Sequence, residues 1–189
     1  MEVMTLGCIA MQLGIDLAHM RPLDGKISVF NSAVATFFSP SDPSSARGMR
    51  RERIRSTPSW RGRGPRYDCA FVVEDDTKPG MKGMAVVRIK LLFTVDYDRE
   101  QYPCALVDWF DRVQRDPTTG MWIVRPAFTR GRQDKSVIHL DALMCAAHLI
   151  PVYGNQKMPL DFHYGYSLDA FEAYYVNKYI DHHANEIAF

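Results

Sequence analysis

Apolar and polar residues alternate most regularly over residues 84–95, "MAVVRIKLLFTV". Successive side chains of an extended strand lie on opposite faces of a sheet, so this alternation predicts a half-buried strand. We expect Ile89, Leu91 and Phe93 to be buried on its apolar face. A short polar connection, "DYDRE", separates this strand from the apolar residues of 101–110. Its length is typical of a β-hairpin, so the two strands are predicted to pair in antiparallel fashion.

Short runs rich in β-branched and aromatic residues recur along the chain between groups of Gly, Pro, Asp and Ser. Such runs, about ten residues apart, are typical of a small barrel or sandwich rather than of a parallel α/β sheet. The sequence therefore predicts a mainly β (α+β) fold built as a small antiparallel barrel. The further predicted strands cover residues 26–40, 67–73, 121–128 and 136–140, with a last apolar strand ending at Gly154.

The pattern changes to a helical period near the C-terminus. Ser167 is a suitable N-cap, and Leu168, Phe171 and Tyr175 recur at helical spacing. A helix over residues 167–176 is therefore predicted, and it would pack on the barrel as a C-terminal helical cap.

These patterns predict three parts of the chain. The first is a short helix or a poorly ordered leader, because its apolar residues are interrupted by charges and lack the features of a signal peptide or membrane span. The second is the barrel domain, which includes a long Arg-rich loop, and the third is the helical tail. Their predicted ranges are 1–25, 26–155 with the loop at 41–66, and 156–189.

Positive charge is concentrated in the segment 47–66, "RGMRRERIRSTPSWRGRGPR". It contains eight arginines, no lysine and one acidic residue, Glu52, and so carries +7. The whole chain of 189 residues carries only +1, so the remainder carries about −6. With 47% hydrophobic and 24% charged residues, the composition is that of a folded domain. The segregation of charge is therefore a local feature that the net charge conceals.

Arginine in place of lysine favours phosphate recognition, because the planar guanidinium binds phosphate with two hydrogen bonds and stacks on bases. Aromatic residues between the arginines suit single-stranded or flexible nucleic acid. We therefore predict nucleic acid or chromatin as the partner. Two alternatives stay open: the arginines pair with acids of their own chain, or they recognise an acidic protein. The predicted nucleic-acid-binding residues are Arg50, Arg51, Arg53, Arg55, Trp60, Arg61, Arg63 and Arg66.

Motifs of catalysis, metal binding and cofactor binding are not found in the sequence. The triplet Asp181-His182-His183 resembles a phosphoesterase signature, but adjacent helical residues point about 100° apart and rarely share one metal. We therefore predict no catalytic residue, no metal and no cofactor. An aromatic cage for methylated lysine, built from some of Trp60, Tyr102, Trp109, Phe110 and Trp122, is a further alternative.

The four cysteines, Cys8, Cys69, Cys104 and Cys145, form no C-x-x-C pair. The last three lie in apolar, strand-like segments, where free buried thiols are the expected state. Free thiols are typical of a reducing compartment, so a nuclear or cytoplasmic location is predicted.

Several phrases resemble the C-terminal region of transposon-associated proteins of mushroom-forming fungi, the Plavaka and KDZ transposase-like families. They include "FFSPSDPSSARGMRRERIRSTPSWRG", "PGMKGMAVVRIKLLFT", "VIHLDALMCAAHLIPVYG" and "SLDAFEAYYVNKYIDHHANEIAF", and the resemblance covers residues 26–189. It implies an accessory module, without a catalytic signature, that belongs beside a DNA-cutting transposase core. The layout of strands and of the Trp-Phe pair in "YPCALVDWF" is also similar to bromo-adjacent-homology barrels, which bind chromatin.

The sequence thus favours a non-enzymatic accessory domain that binds nucleic acid or chromatin through its arginines. Three alternatives remain: a protein-interaction module with structural arginines, an enzyme fragment with a Cys or His centre, and a decayed transposase fragment without function.

Overall fold

A computed structural model of the protein describes residues 2–14, 16–19, 21–22, 25–43, 45–154, 157–158 and 160–189. Within these ranges three short helices accompany the strands: α1 Glu2–Leu13, α2 Ser167–Ala170 and α3 His182–Ile187. The strands are β1 Ile27–Phe30, β2 Ser32–Phe38, β3 Met49–Thr57, β4 Arg66–Tyr67, β5 Cys69–Val73, β6 Met84–Tyr97, β7 Glu100–Arg115, β8 Trp122–Pro126, β9 Phe128–Thr129, β10 Arg132–Gln133, β11 Lys135–His139, β12 Leu143–Ala147, β13 Leu149–Pro151 and β14 Tyr174–Val176.

Seven antiparallel strands form a nearly closed barrel, in the order β12–β5–β6–β7–β8–β14–β13. The protein is mostly β, with 49% of its residues in strands, and one of its few short helices lies near the C-terminus. The predicted mainly β barrel is therefore confirmed. The two end strands of the path, β12 and β13, are joined in the chain by His148 alone.

The long hairpin β6–β7 confirms the predicted pairing of residues 84–95 with 101–110. Ile89 and Phe93 are buried as predicted, whereas Leu91 is only half-buried. The register shifts between Ile89 and Leu91, which face Val107 and Leu106, so Leu91 and Phe93 belong to a different core cluster from Ile89. An extra residue in one strand reverses the faces of the residues that follow it.

The long loop predicted for residues 41–66 is wrong for residues 49–57, which form β3 and pair with β2. The residues of β3 alternate between the two faces of the sheet: Ile54 is fully buried, while Arg51 and Arg53 are exposed. Ile54 is the one large buried apolar side chain of β3. The alternation of buried and exposed residues in this strand is therefore difficult to recognise in a sequence rich in arginine.

The helix predicted over residues 167–176 is wrong beyond Ala170, where α2 ends. Residues 174–176 instead form β14, which pairs with β8 and β13 and completes the barrel path. The run Tyr-Tyr-Val has high β propensity, and pairing on both sides outweighs the helical spacing. Leu168 and Phe171 nevertheless pack against the core as predicted.

Three clusters of buried side chains organise the molecule. The first receives residues from six of the seven barrel strands and is the barrel interior, with Tyr174 fully buried in it. The second lies between the barrel and the β2–β3 layer, where Ile54 packs against residues of β5, β6 and β7. The third joins α1 to the distal part of the β6–β7 hairpin through Cys8, Ile9 and Phe93. The β2–β3 layer therefore places the arginines of β3 on the outer side of the barrel.

Candidate nucleic-acid interface

Two of the eight arginines are held by acidic residues of their own chain. The guanidinium of Arg50 donates hydrogen bonds to the carboxylates of Asp42 and Asp181, the latter over 2.8 Å between Nη1 and Oδ2. Burial lowers the pKa of Arg50, whereas the hydrogen bond and the charge of Asp181 raise it. The net pKa of Arg50 lies above the ordinary value. Nε of Arg66 donates to Oδ1 of Asp68 over 2.8 Å.

A second group of arginines has no ion pair with any acidic side chain in the part of the chain that the structure describes. Arg53 donates only to the hydroxyl of Ser32, over 2.9 Å. All members of this group have exposed side chains. They are Arg47, Arg51, Arg53, Arg61 and Arg63.

A tight turn between β3 and β4 displays Trp60 together with its neighbouring arginines. The backbone N–H of Arg63 donates to the carbonyl of Trp60 over 3.0 Å. Arg61 and Gly62, at the centre of the turn, have positive φ angles of 54° and 70°. Two successive positive φ angles are typical of a type I′ turn, which matches the twist of paired strands. The turn thus places Arg61 and Arg63 on either side of the glycine at its tip.

Three guanidinium groups surround the indole of Trp60. The Cζ atoms of Arg55, Arg66 and Arg61 lie 4.6, 5.2 and 5.3 Å from the ring centroid. Each such cation–π contact at a half-exposed site is worth about 0.5–1 kcal/mol. The contacts order the arginines around the ring without removing their charge.

Two adjacent cavities form a groove along this side of the molecule. The first has a volume of about 570 Å³ and lies between β3, the opening of the barrel and α3. The second, of about 650 Å³, lies between the Trp60 turn and the segment 163–168. The two cavities share a wall of six residues: Arg66, Tyr67, Asp68, His148, Ser167 and Leu168. Arg51 and Arg53 line the first cavity, and Arg61 and Arg63 line the second.

Arg88 supplies a buried cation to the second cavity. Its side chain is bound by Asp169, with Nη2 to Oδ2 at 3.1 Å, and its Nε has no hydrogen-bond partner among the described residues. Burial lowers the pKa of Arg88, but Asp169 raises it more, so the group stays charged. Lys90 lies beside it, with Nζ 4.4 Å from the ring centroid of Tyr67. Burial lowers the pKa of Lys90.

Glu52 and His183 line the first cavity and are its unusual titratable groups. Glu52 accepts the backbone N–H of Ala146 over 3.1 Å, and burial raises its pKa. His183 is buried and stacks on Phe37 with ring centroids 4.5 Å apart. Neither of its ring nitrogens has a hydrogen-bond partner among the described residues, and burial lowers its pKa.

The Asp181-His182-His183 triplet forms the N-cap and the first two residues of α3. The carboxylate of Asp181 accepts the backbone N–H of Ala184 over 2.7 Å, which is N-capping geometry. His182 is exposed and His183 is buried, as their helical positions predict. Within the described ranges no group of three or more His, Cys, Asp or Glu side chains could hold a metal ion.

All four cysteines are free thiols and are buried. The predicted burial of Cys69, Cys104 and Cys145 is therefore confirmed. Burial raises the pKa values of Cys69 and Cys145 to about 12, so both remain protonated near neutral pH.

The aromatic residues proposed for a methyl-lysine cage do not converge on one place. Tyr102 and Phe110 belong to different core clusters, Trp109 packs against the remaining one, and Trp60 lies at the β3–β4 turn. A single cage of all five is therefore excluded.

Sequence reasoning did not find the residues that the tail and the barrel contribute to the groove. No motif in the sequence marks Arg88, His148 or His163 as a groove residue. The one available indication of a groove residue was the position of Arg88 inside the most apolar strand, because a buried arginine requires a partner or a ligand.

Comparison of the chain with protein-family models, with curated proteins and with solved structures gave no match. Among the described residues, no helix combines the length and apolar character that crossing a membrane requires.

Proposed function

We propose that this protein is a non-enzymatic accessory module that binds nucleic acid through phosphate contacts along the arginine-lined groove. One observation carries the proposal: Arg51, Arg53, Arg61 and Arg63 all line the groove, are exposed, and have no acidic partner among the described residues. A guanidinium without an intramolecular partner is available for bidentate binding of phosphate. A place beside a transposase core, or on chromatin, is the biological setting that the sequence resemblance suggests.

Recognition of the phosphate backbone positions a protein on nucleic acid but carries no sequence information. We therefore expect little sequence preference. If each of the four exposed groove arginines neutralises one phosphate, log K falls against log salt with a slope of about −3 for single strands and about −3.6 for duplexes.

The test is a fluorescence-anisotropy titration with labelled oligonucleotides between about 50 and 200 mM salt. The variant R61Q/R63Q removes two of the four exposed groove arginines, so affinity should fall and the salt slope should flatten by about 1.4–1.8. The matched control is R130Q/R132Q, which removes the same charge from exposed residues that do not line the groove.

No binding of any oligonucleotide at 50 mM salt would contradict the proposal. An equal loss of affinity in R61Q/R63Q and R130Q/R132Q would also contradict it, because the effect would then come from net charge rather than from the groove. Both variants need thermal melts beside the titrations, so that loss of folding is not mistaken for loss of binding.

A protein-interaction module is the second candidate, and it has an observation of its own. Strands β1 and β2 expose large apolar side chains, among them Val29, Phe30, Val34 and Phe38. Exposed apolar groups of this kind favour a protein partner. The variant V29S/F30S separates the two candidates, because it should weaken protein association and leave the salt slope of oligonucleotide binding unchanged.

A further inference from the structure

The cavity between the Trp60 turn and the segment 163–168 has the size and the lining of a nucleotide site. We propose that it receives one unpaired nucleotide, so that the protein binds single-stranded nucleic acid in preference to duplex. This inference rests on the nucleic-acid binding proposed above and names the class of nucleic acid that the same groove selects.

The dimensions suit a ligand of this size. The cavity volume of about 650 Å³ lies within the range of about 300–1,000 Å³ that is typical of small-molecule sites. A paired base inside a duplex is covered on both faces by its neighbours. Only an unpaired or extruded base can therefore enter a cleft of this kind and contact its walls.

Ring systems and cations share the lining of the cleft. Trp60 and Tyr67 are its aromatic residues, and His148 and His163 add imidazole rings. Such rings stack with any base, because every base has a π face. Arg88 adds a buried guanidinium whose charge is paired with Asp169 and whose Nε lacks a partner among the described residues. A planar anionic ligand satisfies both kinds of group.

The acidic residue that lines the cleft is already bound and does not repel a phosphate. Oδ1 of Asp68 accepts the Nε–H of Arg66 over 2.8 Å, and Oδ2 accepts the backbone N–H of Arg55 over 2.9 Å. The guanidinium of Arg66 balances this carboxylate. The surplus charge of Arg61 and Arg63 at the turn therefore remains available to the phosphates on either side of the bound nucleotide.

The arginines around Trp60 are suited to exchange with a base. Arg61 is exposed and contacts the indole at 5.3 Å without an acidic partner among the described residues. When a base stacks on the indole, this guanidinium moves from the ring to a phosphate of the same nucleotide chain. One cation–π contact is exchanged for a stacking contact and a charge-assisted hydrogen bond.

The experiment compares a labelled ten-nucleotide oligothymidine with a blunt duplex of the same length by fluorescence anisotropy at one salt concentration. We expect the single strand to bind about tenfold more tightly, the ratio that one stacked base provides. The variant W60L should lose most of that ratio, with a smaller loss of affinity for the duplex than for the single strand, whereas W60F should retain the preference. Quenching of tryptophan fluorescence by the single strand should disappear in W60L, although Trp109 and Trp122 remain.

Two outcomes overturn the inference. If wild type binds both forms with equal affinity, the groove contacts only phosphates. The proposed function would then hold without a nucleotide site. If W60L lowers single-strand and duplex affinity by the same factor, Trp60 orders the arginines and does not stack with a base. Absence of binding to both forms contradicts the proposed function itself. A thermal melt of W60L accompanies these titrations. Loss of the three cation–π contacts should lower its melting temperature by a few degrees, but W60L should stay folded at the assay temperature because Trp60 lies outside the core clusters.

Discussion

Removal of Arg50 should destabilise the fold, because this side chain connects two distant parts of the chain. Its guanidinium binds Asp42, before β3, and Asp181, at the start of α3. The side chains of Arg50, Asp42 and Asp181 are 21%, 7% and 27% exposed. The variant R50M therefore leaves a nearly buried carboxylate at Asp42 without this guanidinium and separates the N-cap of α3 from the β2–β3 layer.

The expected magnitude follows from this burial. Loss of one partner of a buried ion pair costs about 3–5 kcal/mol, and partial exposure of the other two groups reduces the estimate to about 2–3 kcal/mol. For a chain of 189 residues, 1 kcal/mol shifts the melting temperature by about 2–4 °C. We therefore expect R50M to melt about 4–12 °C below wild type.

Urea unfolding and thermal melts of R50M measure this cost, and R51M is the matched control. Arg51 is the next residue of the same strand, but it is exposed and has no acidic partner among the described residues. Its replacement should change stability by no more than about 0.5 kcal/mol. The double variant R50M/D42N should recover part of the loss, because it removes the buried negative charge that R50M deprives of this guanidinium. A melting temperature of R50M within about 1 °C of wild type, or an equal shift in R51M, would refute the reasoning.

Three further outcomes are expected. Burial lowers the pKa of His183 below 6.5, so the unfolded chain takes up the proton first and the free energy of unfolding should fall as the pH drops below about 6.5. In H183F, whose ring still packs on Phe37, the melting temperature should depend less on pH between pH 8 and 5.5. With pKa values of about 12, Cys69 and Cys145 should react slowly with iodoacetamide at pH 8 in the native protein and rapidly in urea. Rapid labelling of these two cysteines in the native protein, measured by mass spectrometry, would disprove their burial. Y174A removes a fully buried ring and its hydrogen bonds to two carbonyls, so it should lower the free energy of unfolding in urea by about 3–5 kcal/mol. An unchanged urea midpoint would show that β14 does not stabilise the barrel.

Much of the barrel follows from local sequence patterns, because side-chain alternation in a strand depends only on neighbouring residues. The β6–β7 hairpin and the burial of Ile89 and Phe93 were predictable for this reason. The reversal of faces between Ile89 and Leu91 was not, since a bulge depends on the register with the opposite strand. Strand β14 was missed because its partners, β8 and β13, are distant in sequence and outweigh the local helical spacing.

The sequence by itself determined that an excess of arginine lies in one short segment, and it predicted nucleic acid from the chemistry of that side chain. Only the tertiary structure decided which arginines are available. Arg50 meets Asp181 across 131 residues of chain, whereas Arg61 and Arg63 face a cleft whose other wall comes from the C-terminal part. The physical reason is that a residue's charge is set by its identity, but whether that charge is neutralised depends on which acids the fold brings within hydrogen-bond distance.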